Sequence, residues 1–84
     1  MNSLLTKAFD IQRQLDEVLS NDFEIIDTGM MIPDGTENVL WRDMTIENKK
    51  NRDEYYCFSY STNGELKGET PLNKTDLIKN TITK

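Results

Sequence analysis

The chain has 84 residues, no histidine and a formal net charge of −5. That length argues for one domain with a thin core, because a chain of this size buries only about 60–65% of its unfolded surface. The acidic balance argues against bulk attraction to phosphate, and the lack of histidine excludes histidine-based triads, imidazole acid–base steps and histidine-ligated zinc.

The charge is unevenly spread. Residues 1–47 hold ten acids (Asp10, Asp16, Glu17, Asp22, Glu24, Asp27, Asp34, Glu37, Asp43 and Glu47) against Lys7, Arg13 and Arg42, a net of −7, whereas residues 48–84 hold seven bases and five acids, a net of +2. Such an asymmetry favours a basic partner for the acidic half and acts on encounter rate more than on affinity. The plain alternative is a solvated acidic surface. The single cysteine, Cys57, cannot form an internal disulfide. No apolar run reaches the length of a membrane helix, and the N-terminus lacks the basic-then-apolar pattern of a signal peptide. A cytoplasmic, reducing location is the expectation.

The first element is a helix over residues 3–20. Leu4, Ala8, Ile11, Leu15 and Val18 follow a 4-3-4-3 spacing, and Leu19 widens the stripe. Ser3 suits the N-cap and Asn21 a left-handed C-terminal stop. The stripe is too short for a coiled coil and suits packing on a sheet, with self-association as the alternative.

Two strands follow, over about 23–32 and 37–47, joined by the turn Pro33-Asp34-Gly35. Apolar parity changes along the first strand, from Phe23 and Ile25 to Ile26, Met30 and Ile32, which predicts a bulge or bend near Gly29. In the second strand Leu40, Arg42, Met44 and Ile46 share one face, and Val39, Trp41 and Asp43 the other.

A third strand spans about 54–62. Tyr56, Phe58 and Tyr60 form its core face, and Tyr55, Cys57, Ser59 and Ser61 its outer face. A three-residue loop, Thr62-Asn63-Gly64, places Leu66 opposite Tyr60 and Gly68 opposite Phe58 in a short fourth strand over 65–70. Gly68 is then expected to leave space under the Phe58 ring. A closing helix starts at about 74, with Asn73 as N-cap, Asp76 in a capping box and Leu72 with Leu77 as a hydrophobic staple. Leu77, Ile78 and Ile82 are its apolar contacts. The expected fold class is α+β: an N-terminal helix packed on a four-stranded antiparallel meander, with a short C-terminal helix, all in one domain over residues 1–84.

Little in the sequence carries chemistry. There is no glycine-rich phosphate loop and no calcium-loop pattern. Carboxylate pairs such as Asp16-Glu17 and Asp53-Glu54 are what an acidic chain contains by chance. Cys57 lies mid-strand and reads as a semi-buried small hydrophobe. No catalytic, metal-binding or cofactor-binding residues are indicated, and the chain reads as a non-enzyme.

Trp41 and Tyr55 fall on the face opposite the predicted core. Trp41 has two readings. It packs under the C-terminal helix against Leu77 or Ile82, or it forms an exposed apolar patch rimmed by Asp27, Asp43 and Glu47 that serves as an interaction site. The one basic cluster, Lys49 to Arg52, is a solvated loop or, with Trp41 and Tyr55, a contact for single-stranded nucleic acid.

In size and charge the chain resembles phage-borne inhibitors of host defence such as anti-CRISPR proteins, a likeness of composition that rests on no motif. It implies an acidic module, a nucleic-acid mimic, that engages the basic surface of a larger nucleic-acid-binding protein. Partner-binding candidates are Trp41, Tyr55, Asp10, Glu17, Asp27, Asp34, Asp43 and Glu47, the acids standing in for phosphates. The alternatives are a structural or regulatory homo-oligomer, a homodimer in the simplest case, and a small single-stranded nucleic-acid binder using Lys49, Lys50, Arg52, Trp41 and Tyr55.

Overall fold

The computed structural model describes residues 3–31 and 38–83, so the predicted turn at Pro33-Asp34-Gly35 and the candidate Asp34 lie outside the described residues. Helix α1 (Ser3–Leu19) is followed by strands β1 (Phe23–Met31), β2 (Trp41–Asn48), β3 (Tyr55–Ser61) and β4 (Leu66–Gly68), a 3-10 turn at Leu72–Lys74 and helix α2 (Thr75–Ile82). The strands form one antiparallel sheet in the order β1-β2-β3-β4. This is the α+β meander the apolar patterning predicts. Among the described residues no helix is long and apolar enough to cross a membrane.

α1 buries Ala8, Ile11, Leu15 and Leu19, the stripe expected of a 3.6-residue period against a sheet. Its end differs from expectation. Among the described residues no non-glycine residue has positive φ, so Asn21 is not a left-handed cap. The last carbonyls are met otherwise: Ser20 Oγ donates to the Glu17 carbonyl at 2.9 Å, the Asp22 N–H donates to the Leu19 carbonyl at 3.2 Å, and Lys49 Nζ donates to the Ser20 carbonyl. Three donors from side chain, backbone and a distant loop replace the glycine-like stop.

The parity change in β1 is real, but its site is Ile26 rather than Gly29. The register with β2 slips between Ile25 and Asp27, so Ile25 faces Ile46, Asp27 faces Thr45 and Thr28 faces Met44. Gly29 pairs regularly with Asp43. One extra residue reverses the parity, and Thr28 and Met30 join Ile25 on the core side.

The β2–β3 register places Met44 opposite Phe58, and the β3–β4 register places Leu66 opposite Tyr60 and Gly68 opposite Phe58, as the pattern predicts. The connecting loop turns at Gly64, φ +85°, with Ser61 Oγ accepting from the N–H groups of Asn63 and Glu65. Gly68 has a different role from the one expected. With φ at +99°, a Cβ there would lie 2.7 Å from the Cys57 carbonyl oxygen and 2.8 Å from Phe58 Cα. The tight approach is to the β3 backbone, not to the Phe58 ring.

The predicted start of the last helix does not form. Lys74 occupies the cap position and no side chain caps the helix, so Asn73 and Asp76 make no capping box. Leu72 is 96% exposed, which rules out the staple with Leu77, itself exposed. Thr75 Oγ1 donates to the Pro71 carbonyl at 2.9 Å instead, and Lys74 pairs with Asp22 at 2.9 Å. Ile78 and Ile82 are buried in the same cluster as Ile11, Leu15, Leu19, Met44, Ile46, Phe58 and Tyr60. Tyr60 adds a buried tie by donating its hydroxyl to the Ala8 carbonyl at 2.8 Å. Both helices therefore lie on one face of the sheet, and α2 does not cover Trp41.

Two predictions follow from this frame. Gly68→Ala should destabilise the fold by about 3 kcal/mol, through positive φ and backbone overlap, while Gly29→Ala, whose Cβ would meet nothing nearer than 3.8 Å, should be neutral or stabilising by up to ~1 kcal/mol; urea unfolding checks both. The hydrogen bond and charge of Lys74 hold the Asp22 carboxyl below its ordinary 3.8. A lowered folded-state pKa contributes stability above 3.8 and loses it as pH falls through the lower folded value. Lys74→Met should raise the Asp22 pKa by NMR, and the stability gap between the two proteins should close in acid.

Candidate functional site

With α1 and α2 on one side, neither helix covers the other side of the sheet, which is exposed in its middle and at the Tyr55 end, while Trp41 is half-buried and Ser61 opposite it is buried. Alternation along β2 and β3 brings Trp41, Asp43, Thr45, Tyr55, Cys57 and Ser59 to this outer face, and the bulge at Ile26 brings Asp27 beside them. Two shallow hollows lie here. One, of about 430 Å³, is lined by Asp27, Asp43, Thr45, Cys57, Ser59 and Lys67. The other, of about 450 Å³, is lined by Asn38, Val39, Trp41, Asn63, Glu65 and Lys67.

Lys67 joins the two hollows. Its ammonium sits 4.3 Å from the centroid of the Trp41 ring, a cation–π contact that leaves the ring only partly exposed. Ser59 Oγ donates to Asp43 Oδ1 at 2.6 Å, which fixes that carboxylate in the middle of the face. Cys57 is exposed rather than semi-buried, with its sulfur 3.5 Å from Thr45 Oγ1. Tyr55 is 61% exposed and pairs with Glu47, whereas Trp41 pairs with Ser61. The two aromatics thus stand at opposite ends, about 20 Å apart along the strands.

The acidic candidates do not form one surface. Asp10 and Glu17 point away from the sheet on α1, where both pair with Arg13. Glu47 is held with Glu24 by Arg52, at the Tyr55 end and not at the rim of Trp41. Among the described acidic candidates, Asp27 and Asp43 alone are brought together on the outer face. The basic cluster is also committed: Arg52 bridges two glutamates and Lys49 reaches the end of α1. Both carboxylates raise the Arg52 pKa further above its ordinary value.

Sequence reasoning did not single out Lys67 or Arg42. The register that sets Leu66 opposite Tyr60 also sets Lys67 opposite Ser59 on the outer face, so its place was legible. Arg42 alternates with Leu40 and Met44 and is correspondingly buried, at 7% exposure. Its Nη2 donates to Thr28 Oγ1 at 3.2 Å, and the Phe9 ring lies 4.8 Å from its guanidinium carbon. Burial pushes the neighbouring Tyr60 hydroxyl pKa up, partly offset by Arg42.

Lys67→Ala should uncover Trp41. Because it is the only tryptophan, a red-shifted emission and stronger iodide quenching would report this, with stability changed by less than about 1 kcal/mol. No protein-family model, curated protein or solved structure matches the chain, and geometry alone carries the functional reading.

Proposed function

We propose that the protein is a non-enzymatic, acidic protein-binding module whose bare sheet face docks on the basic surface of a larger protein. The observation that supports this is the placement of both helices on one face. It leaves Trp41, Tyr55, Asp27 and Asp43 on a flat surface that neither helix covers. Aromatic area with a polar rim is the usual anatomy of an interface, and tryptophan and tyrosine bring large contact area at low entropy cost. The ring of Trp41 already accepts a cation from Lys67. A partner's arginine or lysine would find the same ring with Asp43 beside it.

In the nucleic-acid-mimic version, Asp27 and Asp43 stand in for phosphates on a nucleic-acid-binding enzyme, and the module acts as an inhibitor in the manner of the phage-borne proteins it resembles in composition. Asp10 and Glu17 contribute to long-range attraction from the far side and make no contact. The homodimer is the second reading, favoured by β1: it is a nine-residue edge strand with Ile26 47% exposed and Phe9 51% exposed next to it. The nucleic-acid-binding reading gains nothing from the geometry, since Arg52 is paired with Glu24 and Glu47 and Trp41 stands at the other end of the face.

Trp41 emission tests the leading reading. Poly-arginine should quench it. Asp27→Lys/Asp43→Lys should weaken that binding about tenfold, while Asp10→Lys/Glu17→Lys, with the same charge change, should alter it less than about threefold. Equal losses in the two variants would show unspecific attraction and remove the outer face from the model of function. Light scattering decides the second reading, a single monomer mass at high concentration excluding it.

A further inference from the structure

We propose that Arg42 is a carboxylate-binding group, covered in the free protein by Phe9 and reached from the groove between α1 and β1. This site lies on the opposite side of the sheet from the outer face and does not depend on the function proposed above.

A guanidinium offers five N–H donors and accepts nothing. Arg42 uses Nη2 on Thr28, but its Nε and Nη1 are buried and meet no acceptor in hydrogen-bonding geometry, although the guanidinium stands close enough to the Tyr60 hydroxyl to lower its pKa. Among the described residues no carboxylate pairs with it, although every other arginine in the chain is in an ion pair. A charge taken out of water without a counter-ion is among the most unfavourable arrangements in a folded chain, and replacing such a group with an apolar one of similar volume usually stabilises. The cation–π contact with Phe9 offsets only part of this. Donors left open at such a cost fit a ligand that supplies the missing acceptor.

The surroundings define the ligand. Phe9 lies over the guanidinium yet is 51% exposed, so stacking holds it and no core packing pins it. Phe9, Gln12, Arg13, Asp16 and Ile25 line a groove of about 390 Å³, and Gln12, Ile25, Ile26, Asp27 and Thr28 line its continuation along the β1 edge, so a carboxylate entering here passes Asp16 and Asp27 and its affinity is expected to be weak. A rotation of the Phe9 side chain would connect this groove to the open N–H groups. A planar carboxylate matches an edge of the guanidinium fork and slides beneath a ring more easily than a tetrahedral anion. Two sources share this chemistry, a carboxylate free in solution and one on the side chain of an extended segment lying along β1.

Titration of the intact protein tests this. The ¹⁵N-detected Nε–H resonance of Arg42 should move and saturate with sodium acetate, with half-saturation on the order of 10 mM. It should stay in place with sodium chloride at matched ionic strength. The peptide N-acetyl-Ile-Glu-Ile-amide distinguishes the sources: binding at least about tenfold tighter than acetate assigns the site to a peptide-borne carboxylate, and equal binding assigns it to a small free one. Backbone amide shifts of Ile25 and Thr28 should follow the same saturation in the intact protein and stay in place in Arg42→Met, which should also raise Tm by about 5 °C. An Nε–H resonance indifferent to both carboxylates, or a lower Tm in Arg42→Met, would overturn the proposal, because either would show that the fold already satisfies the guanidinium.

Discussion

A single apolar layer is the constraint on which the rest of this structure depends. The chain has enough large hydrophobic side chains to fill the space between one sheet face and the helices above it, and no more. Ile78 and Ile82 of α2 enter the same cluster as Ile11, Leu15 and Leu19 of α1. Burying each such side chain is worth ~1.5–3 kcal/mol, and a second, separate layer under α2 would have split that gain between two half-filled cores. Joining the existing core is the better solution for eight residues of helix. The consequence is a sheet with one dry face and one wet face, and the wet face is where Trp41 and Tyr55 end up.

One extra residue in β1 then sorts the polar side chains between those faces. Without the slip at Ile26, strict alternation would carry Asp27 to the core side beside Ile25 and send Thr28 outward. With it, Asp27 joins Asp43 on the outer face, and Thr28 turns inward to accept from Arg42. The bulge exposes Ile26 itself at the sheet edge, a small unfavourable term of the kind edge strands tolerate. Both candidate sites, on opposite sides of the sheet, therefore share one backbone irregularity. A β1 strand of regular alternation would lose both the Asp27–Asp43 pairing of charges and the Arg42–Thr28 bond.

Much of this was legible in the sequence wherever the hydrophobic pattern was long enough to fix a register. The alternation of Phe58 and Tyr60 against Met44 fixes the β2–β3 register and the Gly64 turn the β3–β4 register, whereas the β1–β2 register was not legible. Local signals without tertiary support were misleading. Asn73, Asp76, Leu72 and Leu77 form a convincing start pattern, yet the chain enters α2 through a 3-10 turn because Lys74 is drawn to Asp22 and Thr75 bonds back to Pro71. Asn21 failed as a stop for the same reason: Lys49, distant in sequence, supplies the donor. The bulge was visible as a parity conflict but not placeable, since glycine marks a backbone that can bend and not one that must. The site was half legible. Parity put Trp41, Asp43, Tyr55 and Cys57 on one face, and the i,i+3 and i,i+4 spacing of Asp10, Arg13 and Glu17 made their pairing legible on the predicted helix, but no sequence rule could say that Arg52 would neutralise Glu47.

That neutralisation changes what the net charge means. Exposed ion pairs such as Arg13–Glu17 contribute at most about 1 kcal/mol each, and salt screens them. Their effect is to flatten the local field over α1 and over the Tyr55 end of the sheet. What is left is uneven in a useful way: Asp27 and Asp43 stand on the wet face, and inside the dry one stands a cation, Arg42, that meets no counter-ion among the described residues. Surface carboxylates steer a partner and discriminate among partners. A buried guanidinium acts at short range, where each unmet donor weighs more than a surface pair. A count of acids and bases along the sequence treats the two alike. The sheet separates them, but Asp27 borders both the outer face and the groove at the β1 edge, so a change there is felt on both sides.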